Sequence, residues 1–548
     1  MELKFPINSG LIRDTAIFFG TLSGPSRVKI GLPPYLTGEA AQKINLAEVQ
    51  AVLTLSGSPF LRLSEAMRYL LTYPYGCVEQ TSSGVLALAA MRGVIQDSQV
   101  PGLSLEEVDK YLSRGVQRIL SMQTDAGGFS YWPGQSESHG WGSIYAGAAL
   151  SLAKKNGLEV PDGAMEKALK YFREQLKNPK TPVSAEAFAA YILALNQALE
   201  RDVLTGLQLN YDKSTREGKL LLLLAAREAN LRPLGEMQKE LKPLLGPDTA
   251  KETSWGWDEF NAQARGPALA LLAAKAIMPD DPLTKQAALL LLGGLDQQGI
   301  WTSTSSTGWA LLALEEYFKG QKFAAEPGEV TISQPGATTK QQLKLDPRGF
   351  RTLSLNPQLL LKNPVVEVEA ASGPTWLYKL ELTAPRLDLA GAGSDQGFKL
   401  SKTMANTDGS PEIKVGDLVK VTVVVEAGKP QRYVVLDDPL PAGLVAVNTA
   451  LKTEAATLPE SDEGGNGDAV SYVTADGTLL FYPNFFEIRE DRVLAFRDRL
   501  YSGKYRFEYY ARDVCEGQFL VPASKAAAMY SPGVHGYTAQ SGLTVKAR

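Results

Sequence analysis

Cysteine and histidine are scarce in this chain of 548 residues, which contains only two of each. The cysteines are Cys77 and Cys515, so a disulfide or metal framework does not explain the presence of Cys77. The histidines are His139 and His535, and each is interpreted as an ordinary turn or surface residue.

A charge excess and long apolar runs are also missing. The net charge of −4 indicates no basic face for nucleic acid. The apolar runs, such as Leu220 to Ala226, are too short to span a bilayer, and the first residues do not resemble a signal peptide. The hydrophobic fraction of 44% is that of ordinary globular domains. The length predicts about three or four domains.

One short stretch is expected to carry the chemistry, and it reads Tyr73-Pro74-Tyr75-Gly76-Cys77-Val78-Glu79-Gln80-Thr81. Cys77 and Gln80 are three positions apart, a spacing that puts two side chains on one face of a helical turn. If the thiol attacks the Gln80 side-chain amide and expels ammonia, the product is an internal thioester. Gly76 is expected to give the backbone the freedom that this closure requires.

The same residues carry a family resemblance. Gly76 to Thr81 resembles the thioester motif Gly-Cys-x-Glu-Gln of the alpha-2-macroglobulin and complement family, and Tyr73 to Gly76 resembles its bacterial branch. The resemblance implies that Tyr73, four residues before the cysteine, shields the bond from water. It implies no metal and no cofactor. The implied site consists of the reacting pair Cys77 and Gln80 with supporting residues Tyr73, Tyr75, Gly76 and Glu79.

The resemblance also implies which nucleophile reacts. Complement relatives that transfer to hydroxyl groups use a histidine downstream of the thioester, and residues 176–183, where it is expected, contain none. This absence favours direct reaction with amines, above all lysine amines of a trapped protein. The hydroxyl residues Thr81, Ser82 and Ser83 are predicted to cap the helix start.

The hydrophobic pattern changes twice along the chain. Residues 1 to about 50 hold short β-type runs, too few for a closed core. Alanine- and leucine-rich helical segments follow, and they predict inner helices of an α/α toroid. More polar amphipathic segments predict its outer ring. The inner segments are Val85 to Ala90, Ile144 to Ala153, Ala185 to Leu195, Lys219 to Ala226, Ala268 to Ala274 and Trp309 to Leu314; the outer ones are Glu106 to Leu120 and Ala164 to Leu176.

Strand patterns return after the toroid and predict the remaining domains. The predicted fold is multidomain, with an α/α toroid (the thioester domain) at 55–320 inserted in a split, CUB-like β-domain at 1–54 and 321–388. A receptor-binding-like β-sandwich at 389–548 completes it. Residues 389–397 are predicted to be a linker and 454–469 a mobile loop.

By this resemblance, the chain is expected to be the C-terminal portion of a bacterial alpha-2-macroglobulin-like protein. Such a protein is a broad-spectrum endopeptidase inhibitor, not an enzyme, and traps proteases covalently through lysine amines. The expected partners are target proteases and the rest of the macroglobulin chain. We expect a monomer that binds neither nucleic acid nor membrane. The expected compartment is the periplasm, with the full-length protein anchored at the inner membrane.

Three alternatives compete with this interpretation. Cys77 could be a peptidase or transglutaminase nucleophile with His139 as base, but Gln80 would then have no purpose. The toroid could be a carbohydrate- or isoprenoid-processing enzyme, but that needs paired acidic residues, and no Asp-rich motif appears in the toroid segments. The turns at 127–134 and 298–304 resemble those of terpenoid cyclases, yet glycine for the turn and a buried aromatic explain them more simply. In the third alternative, the chain is a non-covalent binding or structural module with an unreacted cysteine.

Overall fold

The structure is a computed structural model, and its helices and strands fall into separate blocks along the chain. It describes residues 13–22, 26–29, 31–32, 36, 48–98, 100, 102–246, 260–319, 328–337, 341–345, 349–370, 376–385, 393–448 and 477–548. By internal contacts the chain divides into two units. One includes residues Gln50–Leu382, and the other includes Thr383–Arg548. The predicted boundaries of the four segments stay predictions.

The central block is helical. Its helices are α1 (Ser64–Thr72), α2 (Val78–Ser98), α3 (Leu105–Ser121), α4 (Gly140–Lys155), α5 (Asp162–Lys177), α6 (Val183–Leu195), α7 (Arg201–Gln208), α8 (Arg216–Glu228), α9 (Leu234–Leu241), α10 (Arg265–Ile277), α11 (Pro282–Gly293) and α12 (Thr304–Phe318). Short 3₁₀ turns lie at Pro59–Leu63, Tyr211–Lys213 and Lys242–Leu244. The even-numbered helices pack side by side in order, and α12 packs against α2, which closes the ring.

Burial separates inner from outer helices. In α4 the consecutive residues from Gly142 to Ala153 are all buried, and in α12 so are those from Thr304 to Leu314, which is typical of a helix enclosed on every side. The outer helix α3 buries one stripe that includes Val108, Leu112 and Val116. Every predicted inner segment lies on an even-numbered helix, so the predicted α/α toroid is confirmed.

The strands on either side of the toroid form one β-domain. They are β1 (Arg13–Leu22), β2 (Ser26–Lys29), β3 (Gln50–Ser56), β4 (Gly328–Ser333), β5 (Gln341–Leu345), β6 (Phe350–Leu355), β7 (Val365–Ala370) and β8 (Trp376–Pro385), with helix α13 (Pro357–Lys362) between β6 and β7. One 4-stranded sheet has the order β1-β8-β3-β6 and the other β2-β7-β4-β5. Because each sheet combines strands from before and after the toroid, the predicted split β-domain is confirmed.

A cluster of buried charges joins the toroid to this β-domain. Glu65 on α1 pairs with Lys379 on β8, and both side chains are less than 10% exposed, at 7% and 5%. Arg68 pairs with Glu65 and, at 3.1 Å, with Glu381 of the same strand. A buried ion pair of this kind is costly to break because each partner leaves a charge without compensation in a dry site.

The last block is a β-sandwich. Its strands are β9 (Ser394–Gln396), β10 (Phe398–Asn406), β11 (Ile413–Lys414), β12 (Leu418–Ala427), β13 (Gln431–Pro439), β14 (Leu444–Ala446), β15 (Leu479–Leu480), β16 (Phe485–Ile488), β17 (Arg492–Leu500), β18 (Gly503–Asp513), β19 (Gly517–Val521), β20 (Lys525–Ala528), β21 (His535–Tyr537) and β22 (Ser541–Lys546). A 5-stranded, a 6-stranded and a 3-stranded sheet result. Alternate residues of β12 and β18 fill the core.

One sequence prediction in this block is wrong and another is untested. Residues 394–396, predicted as linker, form strand β9, because their backbone pairs with β21 at the edge of the 6-stranded sheet. Loop residues 454–469 lie outside the described part of the chain. Asp438 on β13 is fully buried and accepts hydrogen bonds of 2.6 Å from each of Lys402, Tyr509 and Ser524.

A buried carboxylate in the sandwich predicts a pH dependence of stability. Asp513 is 1% exposed, and neither of its oxygens accepts a hydrogen bond from any residue that the structure describes. Burial, with a smaller contribution from Asp417, raises its pKa to about 6. The folded state therefore holds this proton more tightly than the unfolded state, and stability falls as pH rises through about 6.

Asp513→Asn should remove that loss of stability. A shift of about two pKa units is worth about 3 kcal/mol. Because the asparagine amide would also be buried where the carboxylate oxygens accept no described hydrogen bond, part of this gain is offset, and we expect about 1 to 2 kcal/mol of stabilisation. Thermal unfolding should show the gain at about pH 8 and little at about pH 4. The exposed Asp408→Asn is the control, and an equal gain at both pH values would contradict the assignment.

Candidate functional site

The Cys77 to Gln80 turn lies at the start of inner helix α2. The backbone N–H of Cys77 donates to Oε1 of Gln80 at 3.4 Å, and the backbone N–H of Gln80 donates to Sγ of Cys77 at 3.5 Å. The two side chains therefore fold back over the same helical turn. Cys77 is 0% exposed and Gln80 is 3% exposed, so the thiol and the amide share a site closed to bulk water.

Gly76 is required by a close approach and not by backbone strain. Its φ is not in the left-handed region, in contrast to the freedom expected from the sequence. Nε of Arg118 on α3 donates to the Gly76 carbonyl oxygen at 2.7 Å, and a Cβ at position 76 would lie 2.6 Å from that same Nε. The glycine thus lets an outer helix hold the turn just before the cysteine.

The loop at 127–134 holds the turn from the other side. The backbone N–H of Val78 donates to the Tyr131 carbonyl at 3.0 Å. Gly127 has a φ of 90°, and the neighbouring Phe129 and Trp132 are fully buried. These contacts agree with the simpler interpretation of this loop, in which glycine makes the turn and aromatics fill the junction.

Tyrosine rings line the approach to the cysteine. The Tyr73 ring meets Tyr69 of α1 edge-on at 5.3 Å and Tyr75 edge-on at 5.7 Å between centroids. Tyr75 is buried, whereas Tyr73 is half-buried. Burial raises the pKa of the Tyr73 hydroxyl well above its usual range, with smaller contributions from neighbours that include Glu79 and Cys77. The hydroxyl therefore stays neutral within electrostatic range of the thiol.

Glu79 points away from solvent into the toroid. It is 0% exposed, and its carboxylate accepts hydrogen bonds from Ser83 at 2.6 Å and from Thr304 at 2.8 and 3.1 Å. Ser83 and its neighbours Thr81 and Ser82 lie inside helix α2, so the prediction that these residues are caps is wrong. The helix begins at Val78, earlier than the hydroxyl pattern suggested.

The histidines take structural positions. His139 precedes α4, and its Nδ1 accepts from the backbone N–H of Gly142 at 3.0 Å, which makes it the cap of that helix. Its ring contacts those of Tyr131 and Phe260. His535 lies in β21 of the sandwich, with Nδ1 2.9 Å from the Pro532 carbonyl oxygen. Capping already engages one nitrogen of His139, which weakens the peptidase alternative.

Sequence reasoning missed a buried ionic network in the toroid. Arg265 is 1% exposed and donates to Glu217 at 2.7 and 3.0 Å and to the Tyr145 hydroxyl at 2.8 Å. The Tyr145 hydroxyl in turn contacts Ser305. Glu217, Arg265 and Ser305 lie in the first turns of α8, α10 and α12, and Tyr145 lies in the second turn of α4. The available signal was Arg265, which begins a largely apolar helix. Because arginine is rarely buried unless it is paired, this position could have indicated a buried ion pair.

Comparison with known proteins gives one consistent family. The family described as "Bacterial Alpha-2-macroglobulin MG10 domain" matches residues 397–533. The alpha-2-macroglobulin of Escherichia coli is 26% identical over 91% of this chain and 30% of its own length. The homolog from Nostoc is 26% identical over 79% of this chain and 23% of its own length. The chain thus spans less than a third of these relatives.

Solved structures share the fold. Native E. coli alpha-2-macroglobulin, in a structure spanning domain MG7 to the C-terminus, is similar with a TM-score of 0.73 and 20% identity over 98% of this chain and 83% of that chain. Salmonella alpha-2-macroglobulin reacted with methylamine also has a TM-score of 0.73, with 22% identity over 98% of this chain and 34% of that chain.

The toroid inserted in a split β-domain, with a sandwich after it, is the fold that this chain shares with those alpha-2-macroglobulin structures. The matched MG10 residues lie within the predicted last domain. The domain match, the similar sequences and the shared fold together support the bacterial alpha-2-macroglobulin family, C-terminal portion, for this chain.

Proposed function

We propose that Cys77 and Gln80 form an internal thioester that transfers the Gln80 acyl group once to an amine of a trapped endopeptidase. The observation that carries this proposal is the reciprocal hydrogen bonding of the two residues, at 3.4 and 3.5 Å, over one buried turn. Within the whole macroglobulin chain this portion would supply the reactive group of a broad-spectrum protease inhibitor. It is not a turnover enzyme, because each site reacts once.

The chemistry has two balanced steps. In closure, Sγ of Cys77 bonds to the side-chain carbonyl carbon of Gln80, and the amide nitrogen leaves as ammonia with the thiol proton. In transfer, a lysine amine bonds to that carbon, the carbon–sulfur bond breaks, and the thiolate takes up the proton that the amine loses. Thiolate is a far better leaving group than an amide nitrogen. A position at a helix N-terminus favours the thiolate further.

Direct attack by amines fits the surroundings of the turn. Residues 176–183 contain no histidine, and His139 is engaged as a helix cap, so an acyl-imidazole route has no support here. A similar protein, Salmonella alpha-2-macroglobulin, has been solved after reaction with methylamine, which supports amine chemistry as the proposal. We therefore propose target proteases and the rest of the macroglobulin chain as partners, and a monomeric state for this portion.

We propose the periplasm as the compartment, with the whole protein anchored at the inner membrane. Support for this comes from the family alone. No helix in the described part of the chain is both long and apolar enough for a membrane crossing. Fractionation of cells expressing the whole chain tests the location, and recovery of the protein in the cytoplasm would contradict it.

Intact-mass measurement of fresh protein tests the thioester. We expect a mass lower than the sequence mass by one ammonia and, after treatment with methylamine, a mass greater than the sequence mass by one CH2 group. Cys515 is exposed and Cys77 is buried. Iodoacetamide should therefore label Cys515 alone at first, and Cys77 as well after methylamine treatment and denaturation.

The same measurement decides against the proposal if it fails. A full-mass chain whose Cys77 reacts with iodoacetamide on denaturation without prior methylamine would favour the alternative of a non-covalent binding module. Release of an intact thioester by methylamine would exclude that alternative.

A further inference from the structure

The Glu79 carboxylate lies in an enclosed site between two inner helices. Ser83, one turn further along α2, donates to Oε1 at 2.6 Å. Thr304 donates to Oε2 at 2.8 Å and approaches Oε1 at 3.1 Å, although it is 225 positions away in sequence. Glu79, Ser83 and Thr304 are all at most 2% exposed. These hydroxyls therefore replace part of the hydration that the carboxylate loses on burial.

Thr304 is also the first residue of α12, and Ser303 caps that helix through a hydrogen bond from the Ser306 backbone N–H. The positive end of the α12 dipole thus faces the carboxylate. Because Glu79 occupies the first turn of α2, the anion lies near the positive ends of two helices. The hydroxyl at position 304 donates a hydrogen bond to the carboxylate and thereby holds the carboxylate at the N-terminus of α12.

Close backbone packing fixes the spacing of these groups. Gly308 lies one turn beyond Thr304 on the same face of α12 and meets Ser83 of α2. A Cβ at position 308 would lie 2.9 Å from the Ser83 carbonyl oxygen. Thr304 and Gly308 are four positions apart on one face of α12, and this face packs against the face of α2 that carries Glu79 and Ser83, also four positions apart. The contact between Thr304 and Glu79 follows from the closure of the toroid ring.

We propose that Thr304 is a positioning residue for the thioester. Its hydroxyl fixes the Glu79 carboxylate to α12 and thereby fixes the first helical turn that carries Cys77 and Gln80. This inference rests on the proposed function. Without the hydroxyl, the buried carboxylate loses its donor on α12, and a water molecule that replaced this donor would lie beside the thioester turn. Water drawn to this turn would hydrolyse the adjacent acyl group.

The test compares variants of Thr304 with a matched threonine in the same helix. Thr304→Val deletes the hydroxyl at nearly constant volume, and Thr304→Ser keeps it. Thr307→Val is the control, because Thr307 is buried in α12 and donates only to the Trp301 carbonyl, at 3.3 Å, among the contacts described. For each protein, intact mass gives the fraction with the ammonia deficit, and thiol release in buffer gives the hydrolysis rate.

We expect Thr304→Val to lose the thioester at least about tenfold faster than the unsubstituted protein, a change of about 1.4 kcal/mol in the barrier. Thr304→Ser should stay within about threefold, or about 0.7 kcal/mol. Thr307→Val should keep the original rate even if its melting temperature falls. A thioester lifetime that changes independently of the melting temperature, and that Thr304→Ser preserves, distinguishes positioning from a general loss of stability.

Two results separate the inference from the function on which it rests. If Thr304→Val and the unsubstituted protein lose the thioester at the same rate, the role of Thr304 is overturned but the thioester itself is not. An unsubstituted protein with full mass would overturn the thioester itself. If valine at 304 prevents folding, Ser83→Ala removes a second hydroxyl that donates to Glu79, and an unchanged hydrolysis rate in that variant would overturn the inference that this carboxylate must be held in place.

Discussion

Cys77→Ala should abolish every sign of the thioester at once. The variant is expected to show the full sequence mass, no mass change with methylamine, and no cleavage before Gln80 on heating under denaturing conditions. The cleavage arises because the Gln80 backbone nitrogen attacks its own activated side-chain carbonyl. That nitrogen already lies 3.5 Å from Sγ of Cys77. Without sulfur the carbonyl remains an unreactive amide.

Cys515→Ala is the matched control for this experiment. Cys515 is exposed, so its loss should remove background iodoacetamide labelling and leave the ammonia deficit, methylamine reaction and heat cleavage unchanged. Replacement of the buried Cys77 by alanine leaves a small cavity worth about 1 kcal/mol, so the fold should survive. Heat cleavage that persists in Cys77→Ala would show that the mechanism is wrong.

Tyr73→Ala should shorten the life of the thioester by about tenfold or more, or about 1.4 kcal/mol in the barrier. The Tyr73 ring lies edge-on between those of Tyr69 and Tyr75, so its removal opens a path for water to the turn. Tyr73→Phe keeps both ring contacts and should retain the original rate. Thiol release followed over time in neutral buffer, with and without methylamine, measures the effect.

A second tyrosine provides the control for Tyr73. Tyr501 is 62% exposed in the sandwich, and Tyr501→Ala should leave thiol release unchanged. If Tyr73→Phe accelerates release as much as Tyr73→Ala, the hydroxyl and not the ring is the protecting group. If neither variant changes the rate, Tyr73 does not shield the bond.

The inner ring of the toroid could be predicted from sequence because its helices are enclosed on all sides. Segments such as Ile144 to Ala153 are therefore apolar throughout and easily recognised. The short outer helices α7 and α9, with 8 residues each, were missed. They bury few side chains, and helices of that length have little local signal of their own.

The site was predictable only in part. One continuous motif was enough to predict Cys77, Glu79 and Gln80 as site residues. The separation of three positions between Cys77 and Gln80 places the reacting pair on one helical turn. The contacts of Arg118 with Gly76 and of Thr304 with Glu79 join residues distant in sequence, 42 and 225 positions apart. Such contacts depend on ring closure, which no local pattern records. Strand β9 was missed for the same reason, since its partner β21 lies far along the chain.

The buried pairing of Glu65 with Lys379 has a mechanical consequence. A molecule attached at Gln80 would be held by α2, whose neighbour α1 is paired with strand β8 through Glu65 and Lys379. Separating this ion pair would leave a buried carboxylate without its partner. The toroid and the β-domain should therefore tumble as one body. Force on an attached molecule would reach the sheet through this ion pair in addition to the covalent connections at 56–59 and 318–328.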